Sequence, residues 1–318
     1  MKEFDNVIMD YLKPFQEINK GDIEYLSNSG LPCRRFKIIN NKLYCSTEYE
    51  MRALSMTQIL HETLQKYTIG DCDFVLFYDD SINDDNINSI MKDNKMLPII
   101  VCTSVLDKYN CILCPDFTFT CFPQYNITDH EITCNELVDS TFCKKIPQLI
   151  FKGYMDPDKR PERAKYKKQN HIYNCQHYDI EGHNTTTFST RKEKNNYKYY
   201  LHLNGRDGNA YASALKYGLC NQVVFYSGHS IYREFWQHPS IFKEGEHYIH
   251  TKNPEELDKQ LNYYIEHEEE AEKIASNANT FFKKYLWKND NIQYYMQKLL
   301  NEYSKRMTYT PDQLLSNV

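Results

Sequence analysis

The stretch that decides the fold is Lys198–Cys220, KYYLHLNGRDGNAYASALKYGLC. Tyr199–Leu203 is a short apolar, β-prone run, and two turn-forming pairs within Asn204–Gly208 then break it. Asn209 is a suitable N-cap for a helix predicted over Ala210–Leu219. A glycine-rich loop that leads into a helix start presents backbone N–H groups that suit a phosphate. An ordinary strand-to-helix turn is an equally good interpretation of the spacing alone.

Composition excludes several classes of protein. The chain has 318 residues, enough for two domains, and its 41% apolar and 25% charged residues are normal for a soluble globular protein. The net charge of -5 argues against a nucleic-acid partner. The 11 cysteines predict mostly free thiols, and the lone Cys111-x-x-Cys114 pair is only a weak indication of zinc. We therefore expect no metal site and no cofactor.

Targeting signals are not recognised in the sequence. The first residues, MKEFDNVIMDYLKPFQ, lack the apolar core of a signal peptide, and no apolar run reaches the length of a membrane span. The last residues, DQLLSNV, are not an ER-retention signal. We expect a cytoplasmic protein without a membrane span.

The first half of the chain alternates strands and helices. Phe36–Ser46 is predicted to form a hairpin around Asn40-Asn41, and Glu48–Tyr67 has the apolar spacing of a helix. Phe74–Tyr78 and Leu97–Thr103 are apolar strands. The alternation predicts a parallel sheet in an N-terminal domain over residues 1–150.

The second half repeats this organisation. A second domain over residues 151–290 is expected to contain a sheet and helices, and residues 291–318 form a C-terminal helix and tail that can pack back on the first domain. Asn253-Pro254 is a clear helix start. The basic run within Phe151–His171 is typical of a solvated helix face or a linker, and Gln176–Asn196 is expected to be rich in loops. The strands of the second sheet are predicted at Tyr199–Leu203, Gln222–Tyr226 and His247–His250.

Several segments together resemble one known family. GNAYASALKY at residues 208–217 resembles the Asp-Gly-Asn-x-Tyr-Ser-Gly-Arg-Leu-Lys-Tyr signature of the CAP-type protein O-glucosyltransferases, glycosyltransferase family 90. Phe151–Gly153, Arg233–Trp236 and His247–Ile249 resemble the family's Phe-Arg-Gly, Glu-Phe-Phe and His-Tyr-Val-Pro segments. The likeness runs from about Phe36 to Met307 and is specific as a set rather than through one motif.

The resemblance implies a fold and an activity. The fold would be α/β and GT-B-like, with two Rossmann-like domains facing a central cleft and the nucleotide sugar held mainly by the C-terminal one. The activity would be inverting, metal-independent transfer of glucose or xylose from a UDP-sugar. The acceptor would be a protein serine or a hydroxyl of a glycan.

Such a transfer requires a general base for the acceptor hydroxyl. The segment FVLFYDD resembles the family's strand that ends in the catalytic Asp, and the match places that residue on Asp80, with Asp79 as the fallback. Without the resemblance, both are better interpreted as turn carboxylates of an acidic loop. The family's following Pro is replaced here by Ser81, which changes the loop.

The donor and acceptor also need binding groups. Glu234 resembles a family carboxylate that would bind the ribose, although a salt bridge to Arg233 is the alternative. Asp116, Phe117 and Phe119 resemble a segment that would line the sugar or acceptor pocket, and core packing explains these aromatics nearly as well. The remaining residues expected to bind the nucleotide sugar are Lys152, Gly153, Arg160, Arg163, Gly205, Arg206, Asp207, Gly208, Asn209 and Ser213.

The chain departs from the family pattern at Ala214, where the family has an Arg that faces the diphosphate. Losing one such donor can cost on the order of a hundredfold in rate. Arg206 can supply the charge from the loop, or Lys152, Arg160 or Arg163 from the upstream segment. Otherwise the protein is a degenerate member that acts as a sugar-nucleotide or glycan binding or scaffold protein.

Overall fold

The structure, a computed structural model, describes residues 1–45, 50–80, 82, 86–105, 110–137, 141–167, 177–183, 189–205, 212–227, 232–312 and 316–317. The chain divides into two compact units of mixed α/β structure. The first unit comprises Met1–His130, Tyr232–Ile241 and Lys288–Val318. The second comprises Glu131–Ile231 and Phe242–Trp287.

Helices and strands alternate along both units. The described helices are α1 (Lys2–Leu12), α2 (Lys20–Ser27), α3 (Met51–Lys66), α4 (His130–Asn135), α5 (Pro161–Lys167), α6 (Arg191–Lys194), α7 (Leu215–Gly218), α8 (Pro254–Glu266), α9 (Glu268–Tyr285) and α10 (Asn289–Ser304). The strands are β1 (Cys33–Ile39), β2 (Lys42–Cys45), β3 (Cys72–Phe77), β4 (Met91–Lys92), β5 (Lys95–Met96), β6 (Ile100–Val101), β7 (Thr103–Ser104), β8 (Ile112–Leu113), β9 (Ile146–Tyr154), β10 (Tyr178–His183), β11 (Tyr197–Leu203), β12 (Val223–Ser227), β13 (Arg233–Glu234), β14 (Ile249–Thr251) and β15 (Ser316–Asn317). Short 3-10 turns lie at Ile87–Ile90, Phe117–Phe119, Pro123–Tyr125 and Phe142–Lys144.

The sheet of the first unit is mixed, in the order β15-β2-β1-β3-β6-β8. The predicted hairpin is confirmed: β1 and β2 are antiparallel, and Asn40 and Asn41 turn the chain with φ of 51° and 60°. β3, β6 and β8 are parallel, as predicted, whereas the hairpin strand β1 is antiparallel to β3. The antiparallel edge arises because the hairpin supplies two strands without a crossover helix.

The core of the first unit is rich in aromatic rings. Phe36 and Phe74 stack across β1 and β3 with ring centroids 5.6 Å apart. Tyr295 of α10 donates a hydrogen bond to the carbonyl of Leu113 at 2.8 Å and packs 4.5 Å from Phe235. Tyrosine suits such positions because its ring is buried while its hydroxyl finds a carbonyl. Through these contacts α10 is anchored within the first unit, against α1 and α3.

Two charged pairs hold the chain along β1. Arg35 forms a two-pronged pair with the buried Asp73 of β3, at 2.8 Å and 2.6 Å. Lys37 is also buried and pairs with Asp312 at 2.5 Å. Lys37 and Lys20 lower the pKa of Asp312 to about 2. The ion pair between Lys37 and Asp312 therefore holds the segment that follows α10 against β1.

The second unit contains a five-stranded sheet in the order β10-β9-β11-β12-β14, and every pair in it is parallel. The three predicted strands are present within one or two residues of their expected ends. Asn253 caps α8 as predicted, accepting a hydrogen bond from the N–H of Glu256 at 2.8 Å. β9 was not predicted, and the segment 176–196, which was expected to be rich in loops, also contains β10 and α6.

The helix after β11 is shorter than predicted. Its described part begins at Leu215 and ends at Gly218, and residues 212–214 do not form part of it. The absence of a side chain at Gly218 admits the ring of Tyr200, which would lie 2.5 Å from an added Cβ. The position of this helix is therefore determined by the close packing of Gly218 against Tyr200 of β11.

A buried lysine closes the other end of this sheet. Lys145 donates to the carbonyl and side-chain oxygens of Asn195 at 2.5 Å and 2.6 Å, and to the carbonyl of Cys220 at 3.3 Å. Burial lowers the pKa of Lys145 to about 7. Among the described residues the cysteines are free thiols, as expected. No helix in the described ranges has the length and apolar character needed to cross a membrane.

Candidate functional site

Asp79 and Asp80 lie two and three residues after Phe77, the last residue of the buried strand β3 in the first unit. The main chain of Asp80 is held on both sides. Its N–H donates to Asp79 Oδ1 at 2.8 Å, and its carbonyl accepts from the hydroxyl of Thr103 at 2.6 Å. A carboxylate at the end of a parallel strand is thus placed on a fixed backbone, which suits a catalytic group.

Arg52 brings a positive charge to both carboxylates. Its Nη1 lies 2.6 Å from Asp79 Oδ1 and 2.9 Å from Asp80 Oδ1. Glu50 caps α3 by accepting the N–H of Arg52 at 2.7 Å, which fixes the first turn of the helix. The side chain of Asp80 is 18% exposed, against 32% for Asp79 and 21% for Arg52. The cluster is therefore partly screened but still reachable from solvent.

The predicted pocket segment lies against this cluster. The ring of Phe117 stacks on Arg52, with 4.9 Å between its centroid and the guanidinium carbon. Asp116 is fully buried and caps the 3-10 turn, accepting the N–H and hydroxyl of Thr118 at 3.0 Å and 2.7 Å. Phe119 is buried and packs 5.4 Å from Phe235. In the structure Asp116 and Phe119 shape the segment, and Phe117 reaches the charged cluster.

Glu234 also lies in the first unit. It is buried in β13, opposite Thr103 of β7, and its N–H donates to Gln237 at 2.8 Å. The structure thus brings Glu234 beside the strand that holds Asp80, and its backbone is not part of the five-stranded sheet of the second unit.

The thiol of Cys102, one residue before Thr103, reports the electrostatics of this region. The hydrogen bond with Cys114 and burial raise its pKa well above the ordinary value, and the negative charges of Asp116 and Glu234 add to that rise. Two carboxylates, those of Asp116 and Glu234, therefore act on this thiol. Arg52 contacts two other carboxylates, those of Asp79 and Asp80.

The second unit presents a polar edge at the carboxyl ends of its strands. Asn204 follows β11, and its Oδ1 accepts the hydroxyl of Tyr226 at 2.7 Å. Ser227 ends β12 and accepts the hydroxyl of Thr251, the last residue of β14, at 2.8 Å. The hydroxyl of Tyr166 lies 2.5 Å from that of Ser227. Ligands of parallel sheets bind at this edge, so these residues form a candidate binding surface of the second unit.

Arg163 connects the ends of two strands at this edge. Its guanidinium donates to the carbonyl of Asn204 at 2.8 Å, of Leu203 at 3.3 Å and of Tyr154 at 3.4 Å. These are the last residues of β9 and β11 or the residue that follows. Arg163 therefore links the carboxyl ends of β9 and β11 by hydrogen bonds, a structural role that the sequence did not indicate.

The other predicted cations of this unit differ in their engagement. Lys152 lies 3.4 Å from Asp179 and 3.6 Å from Glu181, on the neighbouring strand β10. Gly153 pairs with Gly182 in the same ladder. Arg160 lies just before α5 with its guanidinium carbon 5.9 Å from the centroid of the Tyr154 ring. Its buried Nε has no hydrogen-bond partner among the described residues.

The glycine-rich loop is only partly described. Gly205 follows Asn204 at the polar edge, and Ser213 lies in the turn before α7. Ala214 occupies the N-cap position of that helix. The predicted binding residues Arg206, Asp207, Gly208 and Asn209 lie outside the described residues.

Sequence reasoning missed several members of both clusters. Polar residues at strand ends are a usable signal, and they point to Asn204, Ser227 and Thr251. No local pattern marks Arg52, which is 28 residues before Asp80 and sits in an ordinary amphipathic helix.

One family model matches nearly the whole chain. The model of glycosyl transferase family 90 matches residues 2–316. No curated protein matches the chain at a significant level. The family match includes both units and every candidate residue described above.

Proposed function

The chain belongs to glycosyltransferase family 90, and we propose that it moves glucose or xylose from a UDP-sugar to a hydroxyl of a protein serine or a glycan. Transfer occurs by single displacement with inversion at the anomeric carbon, and no metal or other cofactor takes part. Asp80 carries the proposal, because it is held at the end of a buried strand in a chain that matches the family over residues 2–316. A GT-B-like arrangement of two Rossmann-like domains and a cytoplasmic location belong to the same proposal.

Asp80 acts as the general base in this proposal. The acceptor hydroxyl gives its proton to the Asp80 carboxylate while its oxygen bonds to the anomeric carbon, and the bond from that carbon to the diphosphate oxygen breaks. Asp80 is preferred to Asp79 because the likeness of FVLFYDD to the family's strand places the catalytic carboxylate on Asp80. A base also needs a fixed position, and the backbone of Asp80 is held at both its N–H and its carbonyl.

The leaving UDP is proposed to bind at the polar edge of the second unit. Asn204, Ser227 and Thr251 lie there, and Gly205 follows Asn204. Negative charge grows on the diphosphate as the bond breaks, so a cation near this edge should stabilise the transition state. Arg160 supports this assignment because its buried Nε keeps a donor that no described residue accepts.

The acceptor is proposed to approach the partly exposed carboxylates of Asp79 and Asp80. Phe117 is itself buried, and its ring supports this surface from below by packing against the guanidinium of Arg52. Asp116 and Phe119 contribute by fixing the segment that presents this ring. Glu234, buried beside Thr103, supports the same region from β13.

A UDP-release assay tests the proposal. UDP-glucose and UDP-xylose are each supplied with and without EDTA, with wild-type protein, Asp80→Asn and Asp79→Asn. Asp93→Asn is the matched control, since Asp93 is an exposed turn residue of the same unit. We expect release that survives EDTA, is lost in Asp80→Asn and persists in Asp93→Asn. Release that persists in Asp80→Asn and is lost in Asp79→Asn would move the base to Asp79.

Ala214 favours one second candidate function. The residue at the start of α7 is an alanine and brings no charge to the loop. A protein that binds UDP in calorimetry but releases none from either donor, with a range of acceptors, would be a binding or scaffold protein. Absence of any UDP binding would overturn both candidates.

A further inference from the structure

We propose that Arg52 is a positioning residue that keeps Asp80 ionised and oriented for proton acceptance, with Asp79 as its permanent counter-charge. The inference rests on the proposed function in taking Asp80 as the base. It goes further in assigning separate tasks to the three charged side chains that meet at the end of β3. Its basis is the contact of one Arg52 nitrogen, Nη1, with both carboxylates, at 2.6 Å and 2.9 Å.

The orientation of Arg52 is fixed from two directions. Glu50 caps the first turn of α3 through the N–H groups of Arg52 and Ala53, at 2.7 Å and 3.1 Å. The ring of Phe117 stacks on the guanidinium, 4.9 Å from its carbon to the ring centroid. A planar cation that is held by its backbone and by one of its faces leaves its edges to the carboxylates. Arg52 thereby fixes the carboxylate of Asp80 as well as its charge.

The surroundings explain why a cation is needed. Asp79 on the same segment and Asp116 beside Phe117 are acidic, and β13 brings both Arg233 and Glu234 against β7. Carboxylates that lie close together favour the protonated form of one of them, whereas a neighbouring cation favours the charged form. Only a charged Asp80 can accept the acceptor's proton, so the base depends on Arg52.

Asp79 keeps a negative charge beside Arg52 during transfer. When Asp80 accepts a proton it becomes neutral, and its attraction for Arg52 falls. A guanidinium left without any counter-charge in a partly buried site would be destabilised. Because Arg52 also contacts Asp79 at the shorter distance of 2.6 Å, it keeps an ion pair throughout. The guanidinium can therefore stay in place while the charge of Asp80 changes.

Titration of the carboxyl groups tests this without any sugar donor. The pH dependence of the side-chain ¹³C carboxyl shift of Asp80 is followed by NMR, with the signal assigned through Asp80→Asn and Asp79→Asn. In Arg52→Met the midpoint should rise by roughly one pH unit or more. Lys66→Met is the matched control, because Lys66 is a cation at the other end of α3 that pairs with Asp290. Its midpoint for Asp80 should equal that of the wild type.

Arg52→Lys covers the case in which Arg52→Met fails to fold. A lysine keeps the charge but cannot match the planar guanidinium at two carboxylates and a ring. We expect its Asp80 midpoint to stay within a few tenths of the wild-type value. The kcat for UDP release should fall while KM for the donor stays unchanged, because orientation is lost and donor binding is not.

The outcomes separate this inference from the proposed function. A midpoint that rises in Arg52→Met, with an acidic limb of kcat/KM that rises equally, supports both. An unchanged midpoint in a folded Arg52→Met, or a displaced midpoint or an unchanged kcat in Arg52→Lys, overturns the role of Arg52 whatever the activity. A raised midpoint in a protein whose wild type releases no UDP overturns the proposed function and leaves the charge-holding role of Arg52 supported.

Discussion

Arg160 and Arg163 lie three residues apart, and we expect their replacement by methionine to affect different properties, UDP binding for Arg160 and stability for Arg163. Arg163 donates to three backbone carbonyls at the ends of β9 and β11, whereas the buried Nε of Arg160 meets no acceptor among the described residues. Arg163→Met should therefore weaken the fold of the second unit. Arg160→Met should instead weaken UDP binding.

The magnitudes follow from the contacts. A hydrogen bond from a charged donor contributes about 1.5–3 kcal/mol, and Arg163 makes one at 2.8 Å and two longer ones at 3.3 Å and 3.4 Å. Counting the long bonds only in part, Arg163→Met should lower the free energy of unfolding by about 3 kcal/mol. Within the described ranges, the side-chain contact that Arg160→Met removes is the one of 5.9 Å to the Tyr154 ring, worth about 0.5–1 kcal/mol.

Urea unfolding and UDP calorimetry on the same samples measure both effects. We expect Arg160→Met to weaken UDP binding at least about tenfold, as loss of a charged contact to phosphate would, with little change in unfolding. We expect Arg163→Met to unfold at clearly lower urea while its folded fraction still binds UDP. Loss of UDP binding in Arg163→Met with an unchanged free energy of unfolding would refute this structural role and make Arg163 a phosphate ligand.

Three further changes test the packing of the two units. Asp73→Asn should lower the free energy of unfolding by about 3 kcal/mol, measured by urea, because it leaves Arg35 beside a neutral group in a buried pair; an unchanged urea midpoint would contradict this. Burial lowers the pKa of Lys145 to about 7, so the unfolded chain binds more protons above that pH and stability should rise by about 2 kcal/mol from pH 7 to 9. Lys145→Met should remove that rise, and a variant that keeps the full slope would assign it to other groups. Gly218→Ala should cost about 1–3 kcal/mol in urea unfolding, since its Cβ would meet the Tyr200 ring at 2.5 Å; a neutral result would mean that the ring moves aside.

Elements with strong local signals could be predicted from the sequence. The Asn40-Asn41 hairpin was predictable because asparagine tolerates the positive φ that the turn requires. The start of α8 was predictable because Asn253 and Pro254 suit the cap and the first helical position. Each of these signals lies within a few residues of the structure that it determines.

Elements that depend on distant partners could not be predicted in this way. β10, with the sequence YDIEGH, has few apolar residues, and it forms a strand because β9 offers a parallel edge. The helix predicted from Ala210 begins at Leu215 in the described part, since a run of good helix formers says nothing about where packing on β11 begins. The contact of Arg52 with Asp80 is equally non-local and has no trace in either segment.

Ala214, where the family pattern has an arginine, leaves the start of α7 without that positive charge. α7 is described over four residues only, so its backbone dipole is too short to offset the missing arginine. Lys152 is engaged by Asp179 and by Glu181 on the neighbouring strand, and Arg163 is engaged by three carbonyls. If charge lost at Ala214 is replaced within the described residues, Arg160 is the predicted cation best placed to replace it. Under the proposed function, Arg160→Met should therefore reduce UDP release while it lowers the free energy of unfolding by only about 0.5–1 kcal/mol.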